Sequence, residues 1–154
     1  MEARGSRLLR TAHLLCGDRH EAERLLGDAL AKTWQAWRGL STLAAAENLT
    51  LRRLVSGARE AVLPAPPASS LPAGLGLDPP ERVAARGALR RRLATLSPEE
   101  RAVLVLRHAE GLPPERVATV TGLSPQQVLD VEAAALAALG SDPDLAPYVE
   151  ESVA

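Results

Sequence analysis

Arg52, Arg53 and Arg59, with Asn48 one turn ahead of them, are the residues of this chain best suited to chemistry on a charged polymer. A guanidinium pairs with phosphate through a planar fork of donors, and a carboxamide matches a base edge. A solubilising basic face would use the same residues, so both readings stand. They fall in residues 43–62, which hold no aromatic ring on which an unstacked base could rest. A second set, Arg116, Ser124, Gln126 and Gln127, lies toward the C-terminus. There Gln can pair with adenine, and a helix N-terminus can accept a phosphate. His13, Cys16 and His20 are zinc-ligand types, but Gly17 and Asp18 break the helix between them and no fourth ligand accompanies them. No metal is expected, and Cys16 reads as a small core residue. Ser, His and acidic residues are scattered without a nucleophile motif or a Gly-rich phosphate loop, so neither catalysis nor a cofactor is expected.

These residues must be positioned by helices. Ala, Leu and Arg dominate a chain of 154 residues with 2% aromatics, which favours an all-α fold with aliphatic cores. The stretch LPAPPASSLPAGLGLDPP combines rigid, donor-free Pro with Gly and Ser and almost no charge. It marks a linker, giving a helical domain at 1–63, a linker at 64–80, a second helical domain at 81–140 and an acidic tail at 141–154. The first part carries ten basic and seven acidic groups, the second eight and seven, and the tail four acids with no base. Attraction to phosphate must therefore come mainly from the first part. A single cysteine fits a reducing cytoplasm, and no apolar run approaches a membrane span or a signal peptide.

Leu8, Leu9, Ala12 and Leu15 predict a first helix ending near Gly17. Asp18 with Glu21 predicts a capping box for the next helix, which sets Ala22, Leu25, Leu26, Ala29, Leu30, Thr33, Trp34 and Trp37 on one apolar face. A third helix, near 43–62, points Leu51, Leu54, Val55, Ala58 and Val62 inward. Beyond the linker, a helix over 82–93 precedes a second one capped by Ser97, with Pro98 at its first position, Glu100 completing the box and Gly111 ending it. A short helix over 114–120, a turn through Gly122 and a helix capped by Ser124, Pro125 and Gln127 make a helix-turn-helix.

LLRTAHLLCGDRHEAERLLGDALAKTWQAWR resembles the polymerase-binding domain of extracytoplasmic-function sigma factors, especially the actinobacterial group. LATLSPEERAVLVLRHAEGLPPERVATVTGLSPQQV is similar to their C-terminal helix-turn-helix domain. The resemblance implies two helical domains, one gripping core RNA polymerase and melting the promoter, the other reading its distal element. It places polymerase binding at Glu21, Glu23, Arg24 and Asp28, where Arg24 reverses a charge of the family pattern and Gly27 replaces a polar side chain. It places DNA contact at Asn48, Arg52, Arg53, Arg59, Arg116, Ser124, Gln126 and Gln127.

The family sets Lys or Arg at three positions of the recognition helix that correspond here to Leu129, Val131 and Ala134. Asp130 and Glu132 are the only charges on that helix, and both would repel phosphate. A helix so nearly apolar all round is expected to be covered, by the tail, by the first domain, by a partner or by a second copy, with Leu129, Val131, Leu136 and Leu139 as contact residues. Plain Ala-rich helix propensity would produce the same composition. Two functions follow from the resemblance. One is a sigma-like regulator degenerate in promoter reading, acting through core polymerase, an anti-sigma factor or a homodimer. The other is an active, divergent sigma factor that retains a weakened contact to promoter DNA.

Overall fold

The structure, a computed structural model, describes the backbone of residues 2–61 and 80–141 and the side chains of 4–61 and 87–141. The expected linker falls almost wholly outside these residues, as does the acidic tail apart from Ser141, and Val62 is not among them. Seven α-helices and no strand occur among the described residues: α1 (Glu2–Cys16), α2 (Arg19–Gln35), α3 (Leu43–Glu60), α4 (Pro80–Thr95), α5 (Pro98–Leu104), α6 (Pro114–Thr121) and α7 (Pro125–Gly140). None is long and apolar enough to cross a membrane.

Local chemistry sets the boundaries. Gly17, Gly111 and Gly122 adopt left-handed φ values of 72°, 67° and 82°, and each ends a helical run. Ser97 and Ser124 form complete capping boxes with Glu100 and Gln127. The box expected at Asp18 forms only in half. Asp18 accepts the Glu21 amide at 2.8 Å, but the Glu21 carboxylate turns to the Arg24 guanidinium, a charge-assisted partner stronger than a backbone amide. Beyond α5 the chain widens into one π-helical turn, Val105–Ala109, closed by Glu110 N–H donating to the Val105 carbonyl at 3.1 Å.

Residues 4–61 and 87–141 pack against one another around a common core. Leu15, Leu25, Leu51, Leu54 and Val55 from α1–α3 join Val103, Leu106, Val117, Val120 and Val128 from the second part in one buried cluster. A second cluster, Ala88, Leu93, Leu96, Leu104, Ala135 and Leu139, seats α4 on α5 and α7, with Leu14 of α1 against it. Arg101 stitches the two parts together while only 3% exposed. Its guanidinium donates to the carbonyls of Leu93 (2.7 Å), Leu96 (3.1 Å) and Leu15 (3.0 Å), at the C-terminal ends of α4 and α1. Helix C-termini carry partial negative charge, which suits a buried cation. Burial nonetheless pushes the Arg101 pKa down.

Candidate functional site

On α2 the buried stripe is narrow: Ala22, Leu25, Ala29 and Thr33 face α1 and α3. Leu30, Trp34 and Trp37, expected on the inward face, are instead exposed by 45%, 74% and 47%. The sequence stripe was wide enough to hold two faces, and small Ala and Thr side chains let the helices approach along one of them. Trp34 and Trp37 stack with ring centroids 6.2 Å apart, lining a shallow apolar cleft with Leu30 and Ala31. Clustered large apolar side chains on a surface mark a protein contact.

Glu21, Glu23, Arg24 and Asp28 lie on the solvent side of the same helix. Arg24 bridges Glu21 (2.9 Å) and Asp28 (3.0 Å), and Glu23 pairs with Arg19 at 3.0 Å. The hydrogen bond from Arg24 holds the Glu21 carboxyl below its usual range. The acidic edge is thereby partly neutralised by its own helix.

Most of the groups on α3 and α6 expected to meet nucleic acid have partners within the chain. Arg116 donates to Asn48 Oδ1 at 2.7 Å and lies 3.7 Å from Glu47. Arg52 donates to the Thr119 carbonyl at 2.8 Å, and Arg59 stands 3.8 Å from Glu99. Arg53 is half-buried, and its enclosed Nε has no hydrogen-bond partner among the described residues.

Further ties join α1 to the second part. Glu110, 5% exposed, takes the Arg7 guanidinium and the Thr11 hydroxyl, and the Arg90 guanidinium lies against the His13 ring. Burial first, and Arg90 second, push the His13 pKa below its ordinary value. Cys16 is buried, its thiol on the Asp18 carbonyl and its pKa raised by burial, while His20 is exposed. Sequence inspection missed Glu110 and Arg101. The run Ala102–Leu106 is flanked by Arg101 and Arg107, which gave a signal for Arg101 alone and none for Glu110.

The helix-turn-helix is locally complete. Gly122 N–H closes α6 on the Ala118 carbonyl at 2.9 Å, and Ser124 Oγ accepts the Gln127 amide at 3.2 Å. Gln127 Oε1 returns the contact to the Ser124 amide at 2.8 Å, and Gln126 donates to Asp130 at 3.0 Å. α7 buries Val128, Glu132, Ala135 and Leu139. Val131 and Leu136 are partly buried against the two cores, so of the expected contact residues only Leu129, 43% exposed, stands out from the surface. The other face, with Gln126, Gln127, Asp130, Ala133, Ala134, Ala137 and Ala138, is open among the described residues. Alanine on this side satisfies helix propensity by itself, and the tail expected as one possible cover lies outside the described residues. Glu132 also differs from expectation. It is 8% exposed and turned inward, paired with Arg107 (3.0 Å) and His108 (2.9 Å), so Asp130 is the one carboxylate on the outer face.

Residues 86–128 match the family Sigma-70, region 4. Three proteins named RNA polymerase sigma-E factor are each 32% identical to the chain over 143 residues, 90% of its length. They come from Streptomyces antibioticus, Streptomyces avermitilis and Streptomyces coelicolor, and the matches cover 79%, 80% and 81% of those proteins. No solved structure matches.

Proposed function

The chain belongs to the extracytoplasmic-function RNA polymerase sigma factors of actinobacterial type, regulators of transcription initiation, and we propose that it engages core polymerase while its helix-turn-helix has lost most of its promoter chemistry. The observation that carries this reading is the open face of α7. Leu129, Asp130, Ala133, Ala134 and Ala137 present one carboxylate and no cation where duplex phosphates would lie. Every phosphate contact forgone weakens binding and flattens its salt dependence. Guanine contact through Arg is absent from this helix as well.

Core polymerase is the partner proposed for α2. Glu21, Glu23, Arg24 and Asp28 supply a polar rim, and the exposed Leu30, Trp34 and Trp37 supply an apolar anchor beside it. Aromatic anchors within a polar rim are the usual composition of protein contacts. The site of action is then the cytoplasm, with polymerase. Leu129, with Ala133 and Ala137 beside it, is the part of α7 that an anti-sigma factor or a second copy would cover.

The intact scaffold supports a second reading, an active sigma factor of divergent specificity. Gln126 lies exposed in the first turn of α7, where recognition helices meet bases. Binding of the full chain to core polymerase, followed by run-off transcription with that complex, separates the two. The proposed function gives a stable complex without promoter-specific transcripts. Specific run-off products would overturn it in favour of the active reading.

A further inference from the structure

Four of the five large apolar side chains exposed among the described residues are Leu30, Trp34, Trp37 and Leu43. Thr33 meets Thr50 at 3.0 Å and Leu25 lies against Gly57, so α2 and α3 run antiparallel and Leu43 sits at the same end of the pair as Trp37. The 3-10 turn Trp37–Gly39 on the way from one helix to the other buries none of its residues, so this end stands out from the core. It holds both tryptophans of the chain. No carboxylate occurs in residues 29–46, whereas two cations do: Lys32, the single lysine of the chain, and Arg38. Neither has a hydrogen bond or ion pair among the described residues. The nearest acids along the chain already face arginines, Asp28 on Arg24 at 3.0 Å and Glu47 at 3.7 Å from Arg116.

We propose that this end of the α2–α3 pair docks on an anionic phospholipid bilayer. Leu30, Trp34, Trp37 and Leu43 enter the boundary between headgroups and acyl chains, and Lys32 and Arg38 lie among the headgroup phosphates. Tryptophan favours that boundary, because its ring is apolar and its N–H still reaches a polar partner. Binding there grows with the apolar area buried and with attraction to anionic lipid. The long stems of Lys32 and Arg38 keep their charges in the headgroup layer while the rings go deeper. Attachment of this kind is peripheral and needs no spanning helix, and none occurs among the described residues. Other occupants fit less well. A second copy would bring its own Lys32 and Arg38 against this pair, and like charges repel. An unpaired base would use the rings and leave Leu30 and Leu43 in water. Trp34 and Trp37 are also the anchor proposed for core polymerase, so a chain held at a bilayer cannot hold polymerase. That consequence alone rests on the polymerase reading.

The experiment uses the full chain with vesicles of equal parts phosphatidylglycerol and phosphatidylcholine, and with vesicles of phosphatidylcholine alone. Co-sedimentation gives the partition between water and lipid. Tryptophan emission reports the docked end itself, since the chain has no other tryptophan. The parent chain should sediment with the anionic vesicles, its emission moving to shorter wavelength as the rings leave water. K32Q and R38Q should each weaken the partition about fivefold, and the double variant about 30-fold. W34A/W37A should weaken it at least about tenfold.

Three results overturn the proposal: no sedimentation, sedimentation with unmoved emission, or equal binding to phosphatidylcholine alone. An emission shift with oligothymidine and none with vesicles overturns it in favour of base stacking. Should W34A/W37A lose helicity by circular dichroism, K32Q/R38Q decides alone, because both of its positions are exposed and leave the rings in place. Polymerase is absent throughout, so a failure here leaves the polymerase-binding reading standing, and the reverse also holds.

Discussion

Placing cations on the open face of α7 tests the proposal that this face lacks promoter chemistry. Leu129 is 43% exposed, Ala134 is exposed, and neither belongs to the buried clusters. L129R/A134R therefore leaves the seam of Val128, Ala135 and Leu139 intact, and Arg propagates a helix nearly as well as Leu or Ala. Asp130 lies four residues before position 134 and is already bound by Gln126 at 3.0 Å. An arginine introduced at 134 shares itself with that carboxylate, so D130N is added to release it. Two restored contacts to duplex phosphate steepen the plot of log affinity against log salt by about 1.8, at about 0.9 each. Between about 50 and 200 mM salt the triple variant loses about 12-fold more affinity than the parent. Fluorescence anisotropy on a labelled duplex of about 30 base pairs, using the full chain, reads this directly. Parallel salt plots for parent and variant would show that α7 does not meet DNA. A parent slope already several units steep would show that the duplex is held without it.

Burial and Arg90 push the His13 pKa down, against a smaller upward pull from Asp18 and with Arg19 adding to the fall. The folded chain thus binds fewer protons there, so this contribution to stability is complete above about 6.5 and is lost as pH falls below it. Thermal melts between about pH 7.5 and 5.5 should show the loss, and H13Q should flatten that part of the profile. Gly27 is exposed in mid-α2, and a Cβ placed there would meet nothing within 4 Å, so G27A should stabilise the chain by about 1 kcal/mol in chemical denaturation. At Gly57 the same methyl would meet Leu25 Cδ2 at 2.6 Å, so G57A should lose that gain to crowding. W34A should change stability by no more than about 0.5 kcal/mol yet weaken core polymerase binding at least about tenfold; equal effects on both would place Trp34 in the fold and not at the partner surface.

What was legible in the sequence is what closes within three or four residues. Ser97 with Glu100, Ser124 with Gln127, and the glycines at 17, 111 and 122 all act on their immediate neighbours, and the helix ends follow them. Even there a competitor one turn away changed the outcome, as when Arg24 drew Glu21 off the Asp18 cap. The long-range pairing was not legible. Arg7 finds Glu110 across 103 residues and Arg52 finds Thr119 across 67, and neither spacing leaves a periodic trace. Composition misled at Trp34 and Trp37, because a large apolar side chain looks the same whether it faces a core or a partner. It misled in the other direction at Glu132, whose inward turn depends on Arg107 and His108 from the π-helical turn.

A complete helix-turn-helix and an outer face without cations are compatible because the two depend on opposite faces of α7. Val128, Glu132, Ala135 and Leu139 tie the helix to the fold, whereas positions 129, 130, 133, 134 and 137 face outward. Substitutions on such a face usually move stability by no more than about 0.5 kcal/mol, so folding places little constraint on them. An intact turn and capping box therefore say little about whether DNA is read. The outward side chains do, since a ligand is the main source of constraint on them. A lone exposed Leu among alanines, flanked by an aspartate, suits contact with a protein better than contact with a phosphate backbone. The same reasoning applied to α3 gives a different result. It carries Arg52, Arg53 and Arg59, of which Arg52 donates to the Thr119 carbonyl of α6 and Arg59 stands near Glu99 of α5. Among the described residues, α3 thus carries the cations that phosphate needs, whereas α7 offers none.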